Sequence, residues 1–129
     1  MRAFLDADGD AAYVSNVHPR RTFPRGQDTE VVSFGALERA WREDDDPRLR
    51  EHVIQYIVRH PERFPFRNVE HDCDLSFMRW ALDTPEDFEF LSIVCSHVDV
   101  STGWLEIVDL IEANPLWLEL NRDVVQKTI

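Results

Sequence analysis

The chain has 129 residues, of which 43% are hydrophobic and 30% are charged. A chain of this length suits a single domain, expected to span residues 1–129, and it buries enough surface to form a core without metal or disulfide support. No apolar run reaches the roughly 20 residues that a membrane span requires, and the chain does not open on a signal peptide. Membrane, collagen-like and disordered classes are therefore excluded.

The charge balance is strongly acidic, with 14 Lys and Arg against 25 Asp and Glu and a net charge of −11. Such a surface repels a phosphate backbone, and no basic stripe offsets it, so nucleic acid is not expected as a partner. The two cysteines, Cys73 and Cys95, are too few for a disulfide framework and indicate the reducing cytoplasm.

Strands are predicted from runs of β-branched and aromatic residues between turn formers. Four runs qualify: 11–17, 29–34, 66–70 and 77–82. The first strand follows a short stretch at residues 1–5 that resembles the end of a helix.

Helices are predicted from helical spacing and from their start and stop residues. Ser33 is the expected N-cap of one helix, with Leu37, Ala40 and Trp41 on one face. A second helix is expected to start at Asp46 and Pro47, to bury Leu49, Val53, Tyr56 and Ile57, and to stop at His60 and Pro61.

The sequence Thr84-Pro85-Glu86-Asp87 is the clearest helix start in the chain. Threonine is a good N-cap, proline suits the first helical position, and two carboxylates face the positive helix end. Phe88, Leu91, Val94 and Cys95 then recur at helical spacing, and two more helices are expected at 103–113 and after Pro115. The fold class is therefore α/β, or α+β, with about four strands and four or five helices.

Asp83 is the first candidate functional residue, because it follows a predicted strand and precedes a capped helix. Ligands of open α/β sheets collect at such turns, and a carboxylate there can hold Mg²⁺. The alternative is that Asp83 only interacts with the helix dipole.

Glu51 and His52 form a second candidate pair on the predicted second helix. His52 could act as a general base, or it could be a partly buried residue with a structural hydrogen bond.

The remaining polar clusters have simpler interpretations. The segment from His71 to Asp74 is predicted to be a surface turn and not a zinc site, because a zinc site needs four ligands in paired motifs. The segment from Asp44 to Asp46 is predicted to be a solvated helix end. No phosphate-binding, dinucleotide-binding or serine-hydrolase motif occurs in the chain.

Residues 79–89, RWALDTPEDFE, resemble the RWTVDTPEDFE signature of the cytidylyltransferase-like spore coat polysaccharide biosynthesis family, which is related to the CMP-Kdo and CMP-sialic acid synthetases. Five further segments resemble motifs of that family in the same order. They are YVSN at 13–16, FPRGQDTEV at 23–31, SF with ALE at 33–38, REHV with YI at 50–57, and HPERF at 60–64.

The resemblance covers the second half of the family's pattern. The family enzymes open with a glycine- and arginine-rich loop that holds the nucleotide triphosphate, followed by a segment with the first metal-binding aspartate, and neither occurs here. The resemblance therefore implies the C-terminal half of a Rossmann-like nucleotidyltransferase with a mixed sheet. It leaves no catalytic residue assignable in this chain alone.

The resemblance also implies roles for six residues. Asp83 would complete a Mg²⁺ site, and the sugar side of the pocket would include Asp28, Glu30, Glu51, His52 and Arg79.

Three hypotheses follow for the function. In the first, the chain transfers CMP from CTP to a sugar or sugar acid, with Mg²⁺, for surface polysaccharide synthesis once an N-terminal half completes it. In the second, it is a non-catalytic module that forms a homodimer or binds a partner chain through a sheet edge or apolar helix faces. Trp104, Trp117 and Leu118 are candidates for that surface or for core packing. In the third, it is a sugar-binding remnant that keeps Glu30 and His52.

Overall fold

The structure is a computed structural model that describes residues 1–5, 11–47, 52 and 54–126. The described residues form a mixed α/β fold, as the sequence predicts. Its elements in chain order are α1 (Arg2–Leu5), β1 (Tyr13–Ser15), β2 (Glu30–Val32), α2 (Phe34–Glu43), α3 (Gln55–Arg59), β3 (Phe66–Asn68), α4 (Pro85–Cys95), α5 (Trp104–Glu112) and a 3₁₀ turn (Pro115–Glu119).

The chain divides into two compact units, each with its own core. The first unit comprises Met1–Phe23 and Asp28–Asp74, and the second comprises Pro24–Gln27 and Leu75–Ile129. The buried core of the first unit consists of Tyr13, Ala36, Ala40, Tyr56, Ile57 and Phe64. The buried core of the second unit consists of Leu75, Met78, Phe90, Val94, Val108 and Ile111.

The sheet of the first unit is mixed and has the strand order β2-β1-β3. Strand β1 pairs antiparallel with β2, so that Tyr13 lies opposite Val32. It pairs parallel with β3, so that Tyr13 lies opposite Phe66. Three of the four predicted strands are thus confirmed.

The fourth predicted strand, 77–82, is wrong as a strand, since it forms a single bridge between Arg79 and Arg25. The amide of Arg25 donates to the carbonyl of Met78 at 2.9 Å, and the amide of Trp80 donates to the carbonyl of Arg25 at 2.7 Å. The pairing stops there because Gly26, with φ of 107°, turns the partner segment away.

Helix α2 starts at the predicted cap. The Ser33 hydroxyl accepts from the amide of Ala36 at 3.2 Å. Ala36 and Ala40 are buried, whereas Trp41 is 66% exposed. Leu37, Ala40 and Trp41 line one groove, as their predicted position on one face requires, but this face is buried only at Ala40.

Helix α3 buries Tyr56 and Ile57 and is capped at His60, as predicted. Leu49 and Val53, the other two residues of the predicted stripe, lie outside the described residues.

Helix α4 starts at the predicted N-cap, Thr84, which forms a capping box with Asp87 in which each side chain bonds the other residue's backbone amide. Its buried apolar residues are Phe90 and Val94, whereas Phe88 and Cys95 are exposed. The apolar spacing therefore predicted the helix correctly and its buried face only in part.

Trp104, Trp117 and Leu118 pack against the core of the second unit, where they are partly buried. No helix among the described residues combines the length and the apolar character needed to cross a lipid bilayer.

The backbone at Gly26 lies too close to Trp80 to leave room for a side chain, whereas Gly35 has open space around it. A Cβ on Gly26 would lie 2.7 Å from the backbone carbon and oxygen of Trp80, whereas a Cβ on Gly35 in α2 would meet nothing within 4 Å. Gly26→Ala should lower the free energy of unfolding by more than about 1 kcal/mol, because both the positive φ and the close approach exclude a side chain.

Gly35→Ala is the matched control and should raise the free energy of unfolding by about 0.5–1 kcal/mol, because alanine is the better helix former. Urea denaturation of both variants measures the difference. Equal effects of the same sign would contradict the account of Gly26.

Candidate functional site

The second unit contains a buried carboxylate that accepts five hydrogen bonds. Asp87 has no exposed surface. Its oxygens accept from Arg79 Nε at 2.8 Å, Arg79 Nη2 at 2.9 Å, Asn121 Nδ2 at 3.0 Å and the backbone amides of Asp83 at 3.0 Å and Thr84 at 3.2 Å. A buried charge is tolerated when it is paired and hydrogen-bonded in this way.

The electrostatics of the pair follow from these contacts. The Arg79 guanidinium, followed by the backbone of Asp83 and the amide of Asn121, holds the pKa of the Asp87 carboxyl far below its usual range, although burial alone would raise it. The bonds to Asp87, and then to Asp83, raise the pKa of Arg79. Both groups are therefore charged throughout the physiological range.

Arg79 also holds the carboxylate that the sequence suggested as a metal ligand. Its Nη2 donates to Asp83 Oδ2 at 2.7 Å. The side chain of Asp83 is 60% exposed, whereas that of Arg79 is 8% exposed. The predicted metal ligand, Asp83, thus lies at the surface just before α4, and its carboxylate is bonded to a buried guanidinium.

Two residues of the C-terminal segment 121–126 also contact Arg79. Asn121 is buried, and its amide donates to the carbonyl of Arg79 at 2.9 Å as well as to Asp87. The amide oxygen of Gln126 accepts from Arg79 Nη1. Residues from three parts of the second unit therefore meet at one guanidinium.

Two predicted sugar-side residues, Asp28 and Glu30, lie in the first unit. Asp28 forms a two-point ion pair with Arg21. Glu30, in β2, accepts a hydrogen bond from the hydroxyl of Tyr13. Burial, and then this bond, raise the pKa of the Tyr13 hydroxyl.

The other candidates of the first unit are less informative. Glu51 lies outside the described residues, and His52 is half-buried. The turn from His71 to Asp74 is confirmed as a turn with exposed acidic residues, in which the amide of Cys73 donates to His71 Nδ1 at 3.2 Å. Asp44 is buried and accepts from the amide of Asp46 at 3.0 Å, so that helix end is not fully solvated.

No three His, Cys, Asp or Glu side chains of the described residues are grouped so that they could hold a metal ion. Among the described residues, Asp83 therefore offers a possible cation one carboxylate and not a complete set of ligands. This donor set fits Mg²⁺ in one respect, because that ion is often bound through one or two carboxylates together with water and substrate phosphates.

The central role of Asp87 and the contribution of Asn121 and Gln126 are not among the sequence predictions. The sequence places Asp87 only in the first helical turn. Its place at the third position of the capping box was a usable signal, but its partner Arg79 is found only in the folded chain. Nothing in the sequence pairs Asn121 with a residue 34 positions away.

Comparisons with known proteins agree with this architecture. No family model matches the chain. An uncharacterized protein of Methanocaldococcus jannaschii, MJ1063, is 32% identical over 106 residues, which are 80% of this chain and 44% of that protein. A cytidylyltransferase structure from Leptospira borgpetersenii superimposes with a TM-score of 0.86 at 26% identity, over 98% of this chain and 52% of that one.

The chain therefore has a cytidylyltransferase-like fold and spans about half the length of the two proteins that it matches.

The buried pair can be tested by neutralising its acid. Asp87→Asn should lower the free energy of unfolding at pH 7 by about 3–5 kcal/mol, because Arg79 is left buried without its partner. Folding lowers the pKa of Asp87, so its contribution is present above about pH 3.9 and is lost as the pH falls through the lower folded value. The difference between the two proteins should shrink below about pH 4.

Asp83→Asn is the matched control, because it removes the same charge from an exposed partner of the same guanidinium. It should cost less than about 1 kcal/mol. Urea denaturation between pH 3 and pH 7 measures both variants, and equal losses would contradict the assignment of Asp87 as the buried partner.

Proposed function

We propose that this chain is the C-terminal half of a nucleotidyltransferase that transfers CMP from CTP to a sugar or sugar acid. The observation that carries the proposal is the exposed Asp83 carboxylate on its buried Arg79–Asp87 support, in a chain with a cytidylyltransferase-like fold. In the proposed reaction, a sugar hydroxyl oxygen bonds to the α-phosphorus of CTP, the bond to the bridging oxygen breaks and pyrophosphate leaves. The hydroxyl proton passes to solvent.

The proposed cofactor is Mg²⁺, held in part by Asp83. When bound, such an ion neutralises phosphate charge and orients the triphosphate. Asp83 can supply a ligand because only its Oδ2 is bonded within the described residues. Asp87 cannot, because its oxygens already accept five hydrogen bonds.

The negative charge of Asp83, which a cation ligand needs, is not cancelled by Arg79. Arg79 and Asp87 neutralise each other at 2.8 and 2.9 Å. The three groups together therefore carry one net negative charge, and that charge lies on the exposed Asp83.

The proposed sugar-side residues are Asp28, Glu30, Glu51, His52 and Arg79. Support for Asp28 and Glu30 is their position as exposed carboxylates, which commonly bind sugar hydroxyls. Arg79 would act indirectly, because its Nε and Nη2 are bonded to carboxylates. Surface polysaccharide synthesis, as in spore coat formation, is proposed from the motif resemblance alone.

The proposed setting is the cytoplasm. Cys73 and Cys95 are both exposed thiols rather than a disulfide, which suits a reducing compartment.

Calorimetric titration of the chain with CTP in the presence of Mg²⁺ tests the proposal. Micromolar binding that Asp83→Ala weakens at least tenfold would support a nucleotide–metal site in this chain, because the variant loses its cation ligand. Glu89→Gln, which removes an exposed carboxylate from α4, should bind like the unmodified chain.

Absence of CTP binding by the unmodified chain would mean that transfer needs another polypeptide or does not occur. The proposed alternative, a dimerising or sugar-binding module, would then lead. Size-exclusion chromatography with light scattering separates these two, since only the dimerising module gives a dimer mass.

A further inference from the structure

Among the described residues, one neighbour, Arg79, holds the carboxylate of Asp83. Within the described ranges, its carboxylate makes one hydrogen bond, from Arg79 Nη2 to Oδ2 at 2.7 Å. An exposed aspartate without such a contact would sample several rotamers, and a ligand would have to select one of them.

Arg79 itself is held from several sides. Its Nε and Nη2 form a two-point bond to Asp87, a geometry that lysine cannot reproduce. Its carbonyl accepts from Asn121, and the backbone on either side of it is bonded to Arg25. The guanidinium therefore presents Nη2 to Asp83 from a fixed position.

The geometry also leaves the second oxygen of Asp83 available. Arg79 bonds Oδ2, whereas Oδ1 has no hydrogen-bond partner in the part of the chain that the structure describes. One oxygen thus fixes the carboxylate and the other can bind a cation. Removing a group that hydrogen-bonds and orients a metal ligand typically lowers the metal affinity by about 10–100-fold.

We propose that Arg79 is the positioning residue of the Asp83 cation ligand, with Asp87, Asn121 and Gln126 holding Arg79 in place. The inference deepens the proposed function, on which it rests, because it takes Asp83 as the ligand. It assigns Arg79 an indirect role, in which it touches neither the cation nor the sugar.

Paramagnetic broadening by Mn²⁺ alone tests the assignment on the ¹⁵N-labelled chain. Mn²⁺ should broaden the amide resonances of Asp83 and Thr84, and Asp83→Asn should abolish this local effect. Arg79→Lys keeps the charge but loses the two-point bond, so about tenfold more Mn²⁺ should be needed for the same broadening.

Two controls separate positioning from a general loss of structure. Arg122→Lys alters an exposed ion pair with Glu119 in the same unit and should leave the broadening at Asp83 unchanged. The amide of Asp109, an exposed residue of α5, reports non-specific binding to the acidic surface and should respond alike in all variants.

Equal Mn²⁺ requirements in the unmodified chain and in folded Arg79→Lys would overturn the assignment and leave the proposed function standing. Absence of broadening at Asp83 in the unmodified chain would overturn Asp83 as a ligand and the assignment with it. Broadening without CTP binding in the calorimetric experiment would instead count against the transferase.

If Arg79→Lys does not fold, Gln126→Ala is the second variant, because it removes only the exposed acceptor of Arg79 Nη1. It should raise the Mn²⁺ requirement at Asp83 a few-fold. No change in that variant would overturn the assignment.

Discussion

The second unit depends on one buried ion pair, that between Arg79 and Asp87. Removing two charges from water is expensive, and the attraction between them compensates only when the remaining hydrogen-bonding groups are also satisfied. Here Asp87 accepts five hydrogen bonds and Arg79 uses both Nε and Nη2 on it. The pair therefore requires a helix start, a bridged backbone segment and the C-terminal segment to be in place together.

Each of these parts has a local cause that serves the pair. Thr84 caps α4 and thereby orders the backbone amides from which Asp87 accepts hydrogen bonds. Gly26 permits the close approach to Trp80 that fixes the backbone beside Arg79. Asn121 joins the C-terminal segment to both members of the pair. A hydrophobic core alone would not impose this arrangement, because apolar contacts are not directional.

The consequence for function is a surface carboxylate with a defined orientation. Asp83 shares a guanidinium with Asp87, but its side chain is exposed and, among the described residues, its Oδ1 has no hydrogen-bond partner. The likeness to a cytidylyltransferase covers nearly all of this chain and about half of that protein. In the proposed Mg²⁺ site, Asp83 would be the ligand from the described residues, and the remaining ligands would come from water, from CTP phosphates and from a completing N-terminal half.

The sequence by itself determined the local elements: the caps at Ser33 and Thr84, three of the four strands, and Asp83 as the residue before α4. These features depend on neighbouring residues, so composition and spacing predict them. Only the tertiary structure decided that Asp87 is buried against Arg79 and that Asn121 completes the pair. Those contacts join residues 8 and 34 positions apart. No local pattern encodes them, because a first-turn aspartate suits a helix equally well whether a guanidinium or water faces it.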